Sequence, residues 1–253
     1  MEFRIFAHGM VDSTSERAFA ALAEGSASHG DVHVALGQTA GRGRRGANHG
    51  HGWVSPPGTG FYASVVLRPG KPLDAAALTM GAGLAVRRAL GAVGLTGCEL
   101  KWPNDLLVGG AKICGLLAET RGLDPAAPHC VVGIGVNVAQ TAFPAELTSQ
   151  RPVTSLALAG IHTTPRDLLE VLLPHFGREI ERIGTAPEAV AEEYFAALHL
   201  LGRKVRVLAG EETLRGVLRG AGLRLGLELA LQPASVRRVR LEHVRSLESD
   251  PGP

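Results

Sequence analysis

Residues 98–119, CELKWPNDLLVGGAKICGLLAE, decide the fold. Three short apolar runs, CELKW, DLLV and KICGLLAE, are separated by Pro103-Asn104 and by Gly109-Gly110. These separators are turn formers, and the runs have the length and composition of strands. The segment therefore predicts strands joined by tight turns in a hairpin-like antiparallel arrangement.

Strands and helices are also predicted on both sides of this segment. Further strands are expected at residues 3–7, 32–36, 61–67 and 131–138. Helices are expected from Ser13 to about residue 25, over residues 74–90, from Thr164 onward and over residues 187–198. Ser13 and Glu16 predict a capping box, Thr164 an N-cap, and Pro174 a kink in or shortening of its helix.

The pattern changes after residue 201. Short strands interrupted by glycine follow one another, as in a small β-barrel of about 50 residues. We therefore expect two domains, at residues 1–200 and 201–253.

Composition narrows the class of protein. The chain has 253 residues, 45% of them hydrophobic, and no apolar run long enough for a signal peptide or a membrane span, so we expect a cytoplasmic globular protein. Its three cysteines have no C-x-x-C spacing, which indicates neither a disulfide framework nor a zinc site. The net charge of +2 argues against a surface built to bind nucleic acid.

Residues 41–46, GRGRRG, match the G-x-G-x-x-G pattern of dinucleotide-binding turns. A dinucleotide-binding turn requires a helix that begins inside the pattern. The residues that follow, ANHGHGW, show no apolar residues at helical spacing. The guanidinium groups of Arg42, Arg44 and Arg45 suit a carboxylate or phosphate, and the glycines let the backbone close over a ligand. A solvated basic turn and a nucleic-acid contact are the alternatives.

A second group of polar residues lies in the opening segment. The chain has four lysines against twenty-two arginines, and two of the four, Lys101 and Lys112, fall here. Asn104 and Asp105 can hold backbone groups or a hydrated Mg²⁺. A surface hairpin with charged ends is the alternative.

Glycines interrupt the strand at residues 131–138, VVGIGVNV. Gly133 and Gly135 indicate a bulge or a close approach to the backbone, and Asn137 suits a core strand only if its amide is used. Taken alone, this stretch favours a structural bulge.

Six motifs occur in one order: D-S-T at 12–14, G-Q-x-x-G-R-G-R-R-G at 37–46, W-x-S-P at 53–56, K-W-P-N-D at 101–105, K-x-x-G at 112–115 and G-I-G-V-N-V at 133–138. In this combination the chain resembles the biotin protein ligases over residues 8–140. The resemblance implies an α+β fold with a mixed, largely antiparallel sheet and flanking helices, as in class II aminoacyl-tRNA synthetases and lipoate ligases, followed by an SH3-like barrel. It further implies the monofunctional type, without DNA binding.

The activity implied by the resemblance has two steps. Biotin and ATP, with Mg²⁺, give biotinyl-5′-AMP, and a lysine of biotin carboxyl carrier protein then displaces AMP; such an enzyme is a biotin–[acetyl-CoA-carboxylase] ligase. A lipoate or other acyl ligase of the same fold is the alternative. A homodimer is possible, and no membrane contact is expected.

The resemblance also implies residue roles, with Lys112 and Arg44 as catalytic groups and Asp105 as a metal ligand. Biotin contacts are expected from Ser13, Thr14, Ser15, Gln38, Arg42, Gly43, Arg44, Lys112 and Gly115. Nucleotide contacts are expected from Arg45, Trp53, Lys101, Asn104, Asp105 and Asn137. The chain departs from the family at Ser15, often asparagine, and at the six residues 47–52, where about two are typical.

Overall fold

The computed structural model of the chain describes residues 1–43, 53, 56–68, 73–121, 128–231, 235–250 and 252. The strands are β1 (Arg4–Val11), β2 (Asp31–Gln38), β3 (Gly60–Leu67), β4 (Cys98–Lys101), β5 (Asp105–Val108), β6 (Ala111–Glu119), β7 (Cys130–Asn137), β8 (Lys204–Ala209), β9 (Glu212–Gly222), β10 (Gly226–Leu231), β11 (Ser235–Val239) and β12 (Val244–Ser249). The helices are α1 (Thr14–Ala23), α2 (Ala75–Ala92), α3 (Ala145–Thr148), α4 (Pro165–Thr185) and α5 (Pro187–Ala197), with a short 3₁₀ turn at Leu241–His243.

The larger sheet has the strand order β1-β2-β3-β7-β6-β5-β4. Only its β1–β2 pair is parallel. The predicted mixed, largely antiparallel sheet is therefore confirmed. The predicted strand arrangement of residues 98–119 is confirmed as well, with Gly109 and Gly110 at φ +55° and +79°, the left-handed conformation that glycine adopts without strain.

Helices cover both faces of this sheet. Strand β3 is buried along its whole length, and because neighbouring side chains point to opposite faces, Val65 and Val66 belong to different apolar clusters. Val65 packs in the main core with α2 and α4, and Val66 packs with Ala18 and Phe19 of α1. Helix α1 is thereby held against β3, so that the D-S-T motif at its start lies beside this strand.

Two predictions about helices are corrected. Ser13 caps α1, but its side chain accepts from Ser15 N, and Glu16 pairs with arginines instead of closing a capping box. Helix α4 starts at the predicted Thr164 cap and runs unbroken to Thr185, so Pro174 does not shorten it. Packing on both sides of the proline, by Leu172 and Phe176, keeps the two halves in one helix.

The second sheet is small and antiparallel throughout, with the order β11-β10-β9-β8-β12. It is joined to the larger sheet by Trp102, whose Nε1 donates to Val244 O at 3.0 Å, and by an ion pair between Lys101 and Glu248. Strand β12 consequently lies next to the Trp102–Asn104 turn between β4 and β5. No helix in the described part of the chain is long and apolar enough to cross a membrane.

Candidate functional site

A cavity of about 570 Å³ opens between α1, the central strands and the small sheet. It brings together most of the residues singled out from the sequence: Ser13, Thr14, Ser15, Gln38, Arg42, Gly43, Trp53, Lys101, Asn104, Asp105, Lys112 and Gly115. Asn137 lines a smaller adjoining cavity together with Trp53 and Lys112. Arg44 and Arg45 lie outside the described residues.

One end of the cavity is a cluster of hydroxyl and amide groups. Ser64 Oγ, fully buried on β3, lies 2.8 Å from Thr14 Oγ1 and 3.0 Å from Ser15 Oγ. Gln38 Oε1 accepts from Thr14 N at 2.8 Å and from Thr14 Oγ1 at 3.1 Å. These contacts hold the start of α1 against β2 and β3, so the cluster is a fixed polar surface suited to a small polar ligand.

The floor of the cavity is formed by glycines of β6 and β7. A Cβ atom at Gly135 would come 2.6 Å from Trp53 Cε2, and one at Gly115 would come 2.9 Å from Trp53 Cζ3. Both distances are below van der Waals contact, so only glycine lets the indole lie this close to the strands. Gly135 is therefore a close-approach position, and the bulge that the sequence favoured in this strand is wrong, since β7 pairs with β3 and β6 in unbroken register.

Lys112 is the buried cation of the site, with 7% of its surface exposed. Its ammonium pairs with Asp105 and lies 5.5 Å from the centroid of a Trp53 ring. Burial lowers the pKa of Lys112, and the Asp105 carboxylate opposes that shift. A cation held in such a poorly solvated position interacts strongly with an anion that enters the cavity.

Segment 152–154 runs along the start of β6 and holds the backbone of Lys112 by two hydrogen bonds. Lys112 N donates to Pro152 O at 2.9 Å, and Thr154 N donates to Lys112 O at 2.9 Å. The same segment orients Asn137, whose Nδ2 donates to Thr154 O at 2.8 Å. Arg151, which precedes it, has Nη1 3.9 Å from Asp105 Oδ2, so a second cation stands at this end.

The remaining predicted residues of the hairpin have structural partners at the cavity wall. Asn104 Nδ2 donates to Leu116 O at 2.6 Å, which fixes the turn against β6. Lys101 Nζ lies 3.0 Å from Glu248 Oε1 on the small sheet. Both side chains therefore shape the wall.

Sequence reasoning missed residues of two kinds. Ser64 carried a signal, since it is a small polar residue inside the apolar strand GFYASVVL. No local signal marked the lining residues that come from distant segments, which are Glu146, Leu147, Gln150, Arg151, Arg245, Ser246 and Glu248. They reach the cavity only through the packing of the loop after β7 and of β12.

The mixed sheet, with its polar cavity and its buried lysine, forms an α+β domain whose cavity suits a small polar ligand beside an anion. The model of the Biotin/lipoate A/B protein ligase family matches residues 9–137. Together with the relatives described next, this match shows that the chain belongs to that family.

Relatives agree over most of the chain. The biotin–[acetyl-CoA-carboxylase] ligase of Paracoccus denitrificans is 36% identical over 218 residues, covering 83% of this chain and 87% of the relative. The enzyme of the same name from Mycobacterium tuberculosis is 35% identical, covering 82% and 76%. The solved biotin protein ligase of Aquifex aeolicus, in complex with biotin and ATP, superposes with a TM-score of 0.79 at 28% identity, covering 98% and 99% of the two chains.

Proposed function

We propose that this chain is an ATP-dependent biotin ligase, which activates biotin as biotinyl-5′-AMP and transfers it to a lysine of biotin carboxyl carrier protein. The observation that carries the proposal is the buried Lys112 ammonium in a cavity that ends in the Thr14–Ser15–Ser64 hydroxyl cluster. One end suits a polar, uncharged ring and the other suits anions. The named activities of the relatives support the same reaction.

The first step must bring two anions together. A biotin carboxylate oxygen attacks the α-phosphorus of ATP, an acyl–phosphate bond forms, and pyrophosphate leaves. At ~4 Å and an effective dielectric of ~20, two unit negative charges repel by about 4 kcal/mol. Lys112 is placed to offset this repulsion and to stabilise the charge that develops in the transition state.

The second step needs no nucleophile from this chain. The amine of the carrier lysine attacks the acyl carbon of the adenylate, the acyl–oxygen bond breaks, and AMP leaves as an amide forms. The attacking nitrogen loses a proton in the process. The enzyme's contribution is to hold the adenylate in place and away from water.

The proposed contacts divide the cavity. The groups at the hydroxyl end, Ser13, Thr14, Ser15, Gln38 and the backbone of Gly115, bind the ureido ring of biotin. Arg42 and Gly43 form the wall beside it, and Arg44 and Arg45 belong to the same motif. Trp53, Lys101, Asn104, Asp105 and Asn137 form the nucleotide side.

Asp105 is the proposed ligand of Mg²⁺. Among the residues that the structure describes, no three His, Cys, Asp or Glu side chains form a metal-binding group. Mg²⁺ on a nucleotide typically uses one or two carboxylates together with phosphate oxygens, so a single aspartate in the cavity fits. Mg²⁺ would supply charge neutralisation of the phosphates, and Asp105 would hold it.

The decisive experiment is biotin-dependent exchange of pyrophosphate into ATP. We expect exchange in the presence of Mg²⁺ and biotin and none without biotin. Lipoate in place of biotin tests the acyl-ligase alternative, and thermal shifts with each compound separate the two. Folded protein that shows no exchange with biotin would refute the proposal.

Three organisational features belong to the same proposal. Residues 1–200 form the catalytic domain, and residues 201–253 a domain whose five-stranded sheet closes into an SH3-like barrel. The exposed edge strand β1 leaves a homodimer possible, which sedimentation with and without biotin would test.

Ser64→Ala is expected to lower the free energy of unfolding by about 1–3 kcal/mol and to weaken biotin binding by about tenfold, because the Thr14 and Ser15 hydroxyls lose the partner that orients them. Ser64 joins the Thr14 and Ser15 hydroxyls, and a buried polar group that loses its partner costs about 1–3 kcal/mol. Isothermal titration with biotin measures the effect. Ser246→Ala, which alters a cavity-lining hydroxyl of β12, is the matched control and should bind biotin as before; equal losses in both variants would contradict the role of the cluster.

A further inference from the structure

Four charged side chains meet at the rim of the cavity, beside the proposed biotin contacts. Arg42 donates from Nη1 to Glu16 Oε1 at 2.5 Å and from Nη2 to Glu119 Oε1 at 2.7 Å. Arg121 donates to both oxygens of Glu16, at 2.6 and 2.7 Å. We call these four residues the rim cluster. Each arginine thus uses the ends of its fork on carboxylates of this chain.

The cluster is fixed on its outer side as well. The Arg121 guanidinium lies 4.0 Å from the centroid of the Phe19 ring, a cation–π contact on α1. The hydrogen bonds from Arg121 lower the pKa of Glu16 to about 2, with Arg42 adding to the shift. Glu16 is therefore ionised throughout the neutral range, and the ion pairs persist there.

The residues of the rim cluster come from three parts of the chain that surround the cavity: α1, the end of β6 and the segment after Gly41. Glu16 lies in the first turn of α1, directly after Ser13–Ser15, and Glu119 ends β6, the strand that carries Lys112 and Gly115. Arg42 follows Gly41, whose carbonyl accepts from Trp53 N at 3.0 Å. One guanidinium group thereby ties α1, β6 and the Gly41–Trp53 contact together.

The charges of the rim cluster argue against a direct anion contact by Arg42. Two guanidinium groups face two carboxylates, so the cluster has no net charge and attracts an entering anion weakly. For its terminal nitrogens to reach biotin or phosphate, Arg42 would have to give up its hydrogen bonds to Glu119 and Glu16, which would leave Glu16 to Arg121 alone. Lys112 is more buried than Arg42 and is paired with one carboxylate, Asp105. It is therefore better placed than Arg42 to meet an anion in the cavity.

We propose that Glu16 and Glu119 are positioning residues of the biotin site, which hold Arg42 so that Gly43 and Trp53 form the cavity wall against biotin. The inference rests on the proposed function. Arg42 then acts through the carboxylates that it binds within this chain, and Glu16 and Glu119 join Asp105 as acidic residues of the site.

A double-mutant cycle on biotin binding tests the inference. Arg42→Gln and Glu119→Gln should each weaken biotin binding by about tenfold, because the wall at Gly43 and Trp53 is then held less firmly and has to be ordered when biotin binds. The double variant should bind no more weakly than Arg42→Gln alone, because Glu119 acts through Arg42. Pyrophosphate exchange at saturating biotin should keep its maximal rate, so that KM for biotin changes and kcat does not.

Two further variants separate positioning from charge. Arg42→Lys keeps the positive charge but cannot reach both carboxylates with a planar fork, so it should bind biotin as weakly as Arg42→Gln. Glu212→Gln weakens a bidentate pair with Arg237 on the small sheet, away from the rim cluster, and should leave biotin binding unchanged.

The outcomes that would contradict the inference differ from the one that would contradict the proposed function. Multiplying losses in the double variant, or full recovery in Arg42→Lys, would mean that Arg42 contacts the ligand as a charge, and would overturn the inference. Wild-type protein that binds no biotin would instead refute the proposed function itself.

Discussion

Lys112→Ala is expected to lower biotin-dependent pyrophosphate exchange on the order of 100- to 1,000-fold, as when a transition-state donor is removed from other enzymes. Lys112 is the buried cation of the cavity, and the adenylation step joins a carboxylate to a phosphate. Without its ammonium, the repulsion between the two anions is less well compensated. Steady-state exchange assays at saturating biotin and ATP measure the effect.

Controls separate this chemistry from a fault in folding. Lys204→Ala removes an exposed lysine on β8 and should exchange at the wild-type rate. Lys112→Arg keeps a charge but needs more room beside Trp53, so an intermediate rate is expected. An unchanged exchange rate in Lys112→Ala, with thermal unfolding near that of the wild type, would remove this lysine from the reaction.

Trp102→Ala is expected to destabilise the protein by about 3–5 kcal/mol, the usual cost of truncating a buried aromatic side chain. Trp102 is 5% exposed, and its ring stacks on Phe195 at 5.8 Å between centroids and meets the Tyr194 ring edge-on. Its Nε1 also donates to Val244 O of the small sheet. Denaturant unfolding followed by circular dichroism measures the loss.

Trp102→Phe is the matched variant. It keeps an aromatic ring in the core and loses the hydrogen bond to Val244, so a smaller loss of about 1–3 kcal/mol is expected. Equal stability of Trp102→Ala and the wild type would mean that the core repacks around the gap. In that case the contact between the two sheets would not depend on this residue.

Local sequence signals were sufficient for most of the secondary structure. Short apolar runs and the paired glycines at 109–110 predicted the β5–β6 hairpin, and Thr164, Pro165 and Asp167 predicted the start of α4. Such signals act over a few residues, where backbone geometry decides. They were wrong at Glu16, whose side chain finds Arg121, 105 positions away, in place of the nearby N-cap backbone.

The site was predictable as a set of chemical groups and less so as an arrangement. The scarcity of lysine indicated Lys112. The glycines of 131–138 favoured a bulge, whereas the structure shows a regular strand with Trp53 lying against Gly115 and Gly135. The sequence could not indicate that Arg42 is held by two carboxylates. That arrangement depends on where α1 and the end of β6 lie relative to each other.

The sequence by itself determined the hairpins, the helix starts and the types of side chain available for binding and for charge compensation. Tertiary structure alone decided which of them meet: Ser64 with Thr14, 50 positions away, Arg42 with Glu119, 77 away, and Trp102 with Val244, 142 away. The physical reason is that periodicity and turns follow from the conformations of adjacent residues. Contacts between distant residues depend on strand order, on register and on how helices and sheets bury their apolar faces together.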